Sequence, residues 1–344
     1  MRTRSLMFCV ALGLLLVLPE CLPAVSSTTF AALAQAKPEQ PKISADEQKA
    51  AVAIQSAPDA TAKLKAGAAF IKKYPKSTLR SRVAEALANE VAGVKDAANK
   101  ITLAQEYQGI FKEPSDQELI VPVLIDGYAE AKRLDEAFAA GAEFLKTNPD
   151  SLRVLVKLMT LGTDQAKQQN GKFIVPSLQY GAHAIELIEA KKMPAGMDEA
   201  TWKYYESNLP ALYQSMGILH LVKGDRSEAK VRFMKGTELA PKDPFNYLML
   251  IDILDTEYQA MAKRYQSMPS GNAKNDEYPK VLAALDKVID TMAHMIALSE
   301  IDARWGAARQ QALKDLEVYF KYRHDNSTAG MQQLIDKYKA PAKP

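Results

Sequence analysis

The sequence is short of cysteine, of glycine and of an excess of either charge. Its two cysteines both fall within the first 21 residues, so disulfides cannot stabilise the rest of the chain. Glycine occurs only 16 times, and no segment alternates apolar and polar residues as a half-buried strand does. The 44 basic and 41 acidic residues are interspersed, which excludes the basic face of a typical nucleic-acid-binding protein. What is abundant is alanine, leucine, lysine and glutamate, a composition that favours helices.

The N-terminal residues have the features of a secretory signal peptide. Arg2 and Arg4 precede an apolar run over 6–18, which is too short for a membrane span of roughly 20 residues. Small residues at 32–36 then offer two A-x-A cleavage sites. We therefore predict a signal peptide over 1–36, which implies export to the periplasm or the extracellular space.

A polar, proline-containing leader is predicted over 37–44, after the signal peptide. The mature chain would then contain no cysteine and no integral membrane segment. Lipid attachment at Cys21 is the less favoured alternative, because Pro19 and Glu20 stand where a lipobox has small side chains. The sequence thus predicts an exported protein without a membrane anchor.

Helix ends marked by proline recur along the chain. The segments 67–77 and 141–151 share Gly, Ala, Phe, Lys, Pro and Ser at matching positions. In both, an apolar helical stripe is followed by a proline, which cannot continue a helix. Similar stops follow at Pro114, Pro194 and Pro241, each about two helices and two turns from the previous one. This spacing predicts a stack of helical hairpins.

Helix starts and one hairpin contact can also be predicted. Asp225 begins a capping box with a glutamate three residues later, and Gly224 before it suits a left-handed turn. Gly217 on one helix and Ala229 on the next would allow a close approach, with Phe233 filling the space that they open. Ser44 and Ser151 are further candidate caps.

Residues 210–243 resemble the tetratricopeptide repeat, a 34-residue helix–turn–helix unit. The positions that carry the resemblance are Tyr213, Met216, Gly217, His220, Ala229, Phe233 and Pro241. His220 replaces the usual tyrosine. A partial match covers 118–151, where Gly141 stands in place of the phenylalanine, and another covers 244–260.

The resemblance implies an all-α, right-handed superhelical stack of antiparallel hairpins whose first helices line a concave groove. We predict the repeat region over 45–268, with 210–243 as its best repeat, and a helical C-terminal cap over 276–338. Residues 266–279 are polar and rich in helix breakers, so they are predicted to form a loop.

The resemblance also implies which residues line the groove. The partner-binding positions would be Gln214, Ile218, Leu221, Phe245, Leu248, Asp252 and Asp255. An apolar strip with two carboxylates one turn apart fits an extended or helical peptide with apolar anchors and at least one basic residue. The alternative is that Phe245 and Leu248 simply pack on the next hairpin.

Catalytic motifs are scarce. Ser227–Lys230 spells S-x-x-K without its K-T-G or S-D-N companions, and the four histidines are too scattered for a metal site. We therefore predict a non-catalytic scaffold, without cofactor or metal, that binds a protein or peptide partner. Two alternatives remain open. One is a structural component of a cell-envelope complex, and the other is an envelope enzyme with two carboxylates in a closed pocket, one of raised pKa.

Overall fold

A computed structural model describes residues 43–339, and within that range the chain forms fifteen α-helices and no strand. The all-α stack of sequential antiparallel helix pairs predicted from the sequence is confirmed. The predicted signal peptide and residues 37–42 of the leader lie outside the described residues. The helices are α1 (Ala45–Gln55), α2 (Ala60–Lys73), α3 (Arg80–Ala92), α4 (Ala97–Ile110), α5 (Pro114–Glu130), α6 (Leu134–Thr147), α7 (Leu152–Lys167), α8 (Ile174–Glu189), α9 (Glu199–Ser207), α10 (Leu209–Lys223), α11 (Arg226–Leu239), α12 (Pro244–Ser267), α13 (Asn272–Leu298), α14 (Gly306–Arg323) and α15 (Met331–Asp336).

The helices fall into two compact units. Of the described residues, the first unit contains 43–164 and 175–203, and the second contains 165–174 and 204–339. The chain therefore passes from one unit to the other three times: within α7, after the first residue of α8, and within α9. The predicted boundary between repeat region and cap, at 268–276, lies inside the second unit.

In the first unit, each helix from α1 to α5 packs on the next helix, and α3 also packs on α5. The glycines shared by the two similar segments explain part of this packing. A Cβ atom at Gly67 would lie 2.3 Å from a methyl carbon of Leu87, and one at Gly141 would lie 2.7 Å from a methyl carbon of Leu158. Each glycine therefore lets the following helix approach closely, which a side chain would prevent.

Polar pairs join the first helices of successive hairpins, α3, α5 and α7. The pairs are Arg80–Asp116, Ser151–Glu118 and Lys157–Asp126, whose partners lie 36, 33 and 31 residues apart in the chain. These separations are close to one hairpin repeat. The polar contacts thus follow the same period as the proline-terminated helix ends.

In the second unit, one hydrophobic core runs from Ile218 to Ile335 and includes residues of α10 through α15. The predicted C-terminal cap shares this core with α12, on which α13 packs along its length. The close approach predicted between Gly217 and Ala229 is present in a modified form, in which Phe233 contacts the glycine. Gly217 faces the Phe233 ring, since a Cβ atom there would lie 2.6 Å from a ring carbon.

The predicted caps are confirmed. The side chains of Ser44, Ser151 and Asp225 accept hydrogen bonds from backbone N–H groups three residues later. Gly224 ends α10 with φ +90°, the left-handed conformation expected for that turn.

The loop predicted over 266–279 is wrong in extent. Helix α12 continues to Ser267 and α13 already begins at Asn272, so Pro279 lies inside a helix. A proline near a helix start removes one backbone hydrogen bond. The burial of Glu277 and Val281 on either side holds the segment helical in spite of that loss.

Candidate partner-binding surface

The apolar residues predicted to line a groove lie in the core of the second unit. Ile218, Phe245 and Leu248 are buried, and Leu221 is partly buried against the same core. The rings of Phe233 and Phe245 meet edge to face at 6.3 Å. These side chains therefore stabilise the stack of hairpins, and little of their surface is left for a partner.

Gln214, also predicted to line the groove, is 3% exposed. Its side-chain N–H donates to Asp243 Oδ2 at 2.5 Å, while Asp243 Oδ1 accepts from the backbone N–H of Phe245 at 3.0 Å. Asp243 is the N-cap of α12. Gln214 therefore connects α10 to the start of α12.

The two predicted carboxylates each bind a group of the chain itself. Asp252 pairs with Arg226 of α11 at 2.8 Å. Asp255 accepts a hydrogen bond from the Tyr319 hydroxyl of α14 at 2.5 Å. The partner-binding role of these residues stays a prediction, and so does the basic residue expected in the partner, although Asp252 already has a basic neighbour in the chain.

A different surface of the second unit carries exposed aromatic side chains. We call it the tyrosine surface and define it by Tyr265, Tyr278, Tyr319 and Tyr322. Tyr278 is 47% exposed and Tyr322 64% exposed, whereas the other two are partly buried. Tyr265 of α12 contacts Tyr278 of α13, and the end of α14 contacts both of these helices through Tyr319 and Arg323.

Ring contacts order this surface. The rings of Tyr265 and Tyr278 lie 5.5 Å apart, and those of Tyr319 and the buried Tyr258 meet edge to face at 5.9 Å. Burial raises the pKa of Tyr258 to about 12, and burial followed by the hydrogen bond to Asp255 raises the pKa of Tyr319 further above its usual value. Both phenols therefore keep their protons at neutral pH and can act as hydrogen-bond donors.

Two ion pairs join the helices that carry these tyrosine rings. Arg323 of α14 binds both carboxylate oxygens of Asp286 in α13, at 2.7 and 3.2 Å. Arg264 of α12 pairs with the buried Glu277 of α13. Each pair therefore joins two of the helices that carry the aromatic side chains.

The surface has a local excess of positive charge. Residues 263–280 contain four basic and two acidic side chains. Lys274 lies over the Tyr265 ring, with Nζ 5.0 Å from its centroid, and donates to the Met268 carbonyl at 2.9 Å. The 263–280 segment of the surface therefore carries a small excess of positive charge, part of which is paired with Glu277.

The sequence contained a signal for this surface that the repeat pattern did not use. Five of the chain's 14 tyrosines fall in 258–278 and 319–322. Tyrosine is enriched at protein interfaces because it combines a rigid apolar ring with a hydroxyl. Only the fold brings these two segments together.

Among residues 43–339, Glu118 is the carboxylate whose pKa is raised, and it has no second carboxylate as a hydrogen-bond partner. Burial raises the pKa of Glu118, but this side chain accepts a hydrogen bond from Ser151 at 2.7 Å and its nearby charge is Arg153. An open cleft of about 360 Å³ lies beside residues 74–78 and contains a single carboxylate, Glu47. Within residues 43–339 no group of three His, Cys, Asp or Glu side chains could hold a metal ion.

Comparison with models of known protein families gave no match, and comparison with curated proteins gave none either. Membership of the tetratricopeptide repeat family therefore stays a prediction from residues 210–243, whereas the stacked helix pairs are shown. Among the helices of the described range, none combines the length and the hydropathy that a membrane span requires.

Proposed function

We propose that this chain is an exported, non-catalytic helical scaffold that binds a protein or peptide partner through the tyrosine surface. The observation that carries the proposal is the convergence of four tyrosines from three helices, with Tyr278 and Tyr322 about half or more exposed. Binding energy at protein interfaces concentrates in a few aromatic and arginine side chains on an ordered backbone. The tyrosine surface combines both features.

The chemistry of the surface narrows the kind of partner. The paired rings of Tyr265 and Tyr278 offer an apolar contact, and the 263–280 segment that carries them contains four basic and two acidic side chains. A partner segment with apolar anchors flanked by acidic residues fits this combination. Export to the periplasm or extracellular space, expected from residues 1–36, would place that partner in the cell envelope or outside the cell.

A photocrosslinking residue introduced in cells at position 322 tests the proposal. Val231 of α11 provides a matched control, since it belongs to the same unit and is 52% exposed. We expect one protein to be captured from position 322 and not from position 231. Equal capture from both positions would mean that the tyrosine surface has no special role.

The same experiment distinguishes the structural-component alternative. A permanent subunit of an envelope complex would co-purify with its neighbour in fixed stoichiometry without crosslinking. A regulated or transient partner would be recovered only after crosslinking.

A further inference from the structure

The last described residues of the chain, which we call the C-terminal strap (326–339), are held by a stack of three rings. The ring of His294 in α13 lies 4.1 Å from that of Tyr338, at an angle of 13°. On its other side, the Tyr247 ring of α12 lies at 4.0 Å. The half-buried imidazole is thus enclosed between the strap and the core of the second unit.

Few other contacts hold the strap. Its helix α15 has six residues and buries Ile335, with Met331 and Leu334 partly buried beside it. The Tyr338 hydroxyl donates to Asp290, and Lys339 pairs with Glu300 at 2.9 Å. Ion pairs at a protein surface contribute only about 0–1 kcal/mol each.

Residues in the left-handed backbone region mark the start of the strap. Asp325, Asn326 and Gly330 all have positive φ, of +49°, +65° and +93°. Glycine adopts positive φ without cost, and Asp and Asn tolerate it better than other residues that carry a side chain. These residues therefore form the turn at which the strap begins.

We propose that the strap is a latch that opens as His294 becomes charged at mildly acidic pH. Opening separates Tyr338 from His294 and exposes the Tyr247–His294 edge of the core to solvent. This device is independent of the tyrosine surface, because it lies at the opposite end of α13.

Burial between the rings, and not the neighbouring charges, favours the neutral form of His294 in the closed strap. Burial lowers the pKa of His294, Asp290 opposes that shift, and Lys337 adds to it. Asp290 is the only nearby carboxylate, and it already accepts from Tyr338 and lies 3.8 Å from Lys337. The stabilisation that the closed strap gains from a neutral His294 is therefore complete above the ordinary histidine value of 6.5 and is lost as the pH falls towards the lowered pKa.

Hydrogen exchange of the full-length chain at pH 7.5 and 5.5, corrected for intrinsic exchange rates, tests the latch. We expect the strap to lose protection several-fold at the lower pH, while α14 keeps its protection. His294→Phe retains the ring stack without the charge, so its strap should be equally protected at both pH values. Carboxylates of ordinary pKa titrate near 4, below this range.

His324→Phe is the matched control, because its ring also lies on an aromatic neighbour, 4.2 Å from Phe320, just before the strap. This variant should keep the pH dependence of the wild type. Equal protection of the wild-type strap at both pH values, or a pH dependence that survives in His294→Phe, overturns the proposal.

A second measurement serves if His294→Phe does not fold. In the wild type, NMR titration should show the strap amides shifting together with the His294 ring, and that ring titrating below the ordinary histidine value of 6.5. Strap amides that do not follow the His294 titration also overturn the proposal.

Discussion

At the scale of single residues, Gly217 matters because it has no side chain, so that another residue can pack directly against its backbone. Gly217 of α10 accommodates the Phe233 ring of α11, so its value lies in packing and not in backbone freedom. The sequence predicted that Gly217 and Phe233 belong to one contact, because their spacing matches a known hairpin unit. It could not show that the ring lies directly on the glycine, since that depends on the helix crossing.

Gly217→Ala should therefore destabilise the second unit by about 1–3 kcal/mol, because the new methyl overlaps the ring. Gly306→Ala is the control, since its backbone is helical and no atom lies within 4 Å of the new Cβ. Urea unfolding should show a loss for the first variant and none for the second. Equal midpoints would contradict the hairpin contact.

A partly buried carboxylate gives a prediction about pH. Burial raises the pKa of Glu118 above the value of 4.5 expected in the unfolded chain, so its charge costs stability above the folded pKa. Glu118→Gln, which can still accept from Ser151, should be more stable than the wild type at neutral pH. The difference should shrink as the pH falls through the folded pKa towards 4.5.

Glu136→Gln provides the opposite case for that experiment. A backbone hydrogen bond and then Arg133 lower the pKa of the exposed Glu136, so neutralising it should bring no gain. A gain in both variants would show that the chain responds only to its net charge and not to the burial of Glu118.

At the scale of elements, helix ends were predictable and helix faces were not. Caps such as Ser44 and Asp225 and stops such as Pro241 act within one turn, so the local sequence determines them. The face of α10 depends on the neighbouring helices. All of 212–219 is buried, including Gln214, which the repeat pattern assigned to an open groove.

A signal for this burial was present in the sequence. Residues 209–219 contain only two polar side chains, Gln214 and Ser215, whereas a helix with one exposed face carries a polar stripe. Pro279 was misread for a related reason. Its local effect favours a loop, but the buried side chains around it decide the outcome.

The contact between α3 and α5 rests on a polar pair whose loss should be costly. Asp116 is 2% exposed and binds Arg80 through two hydrogen bonds, at 2.5 and 3.1 Å. Arg80→Met should cost about 3–5 kcal/mol, because it leaves a buried charge unpaired. Adding Asp116→Leu should recover much of that loss.

The exposed pair Lys146–Glu143 is the control for that prediction. Lys146→Met should change the free energy of unfolding by less than about 1 kcal/mol. If Arg80→Met behaved like Lys146→Met in urea unfolding, the pair would not hold the two helices together.

At the scale of the whole molecule, the periodic spacing of proline stops, close-packed glycines and polar pairs accounts for the stack of hairpins. The fold class followed from these local features, because each hairpin must bury its apolar face against its neighbours. The binding surface did not follow, because it joins Tyr265 and Tyr278 to Tyr319 and Tyr322, which lie far away in the sequence. A repeat pattern assigns one groove position at a time and gives no information on such a convergence.

The most direct test of the proposed scaffold is the affinity of the crosslinked partner for two surface variants. Tyr278→Ser with Tyr322→Ser removes the two most exposed rings, and Val231→Ser with Met234→Ser removes two apolar side chains of comparable exposure from α11. Interface tyrosines typically contribute about 1–2 kcal/mol each, so the tyrosine variant should bind at least about tenfold more weakly. The α11 variant should bind like the wild type, and both should keep the wild-type melting temperature. Unchanged affinity of a well-folded tyrosine variant would contradict the account.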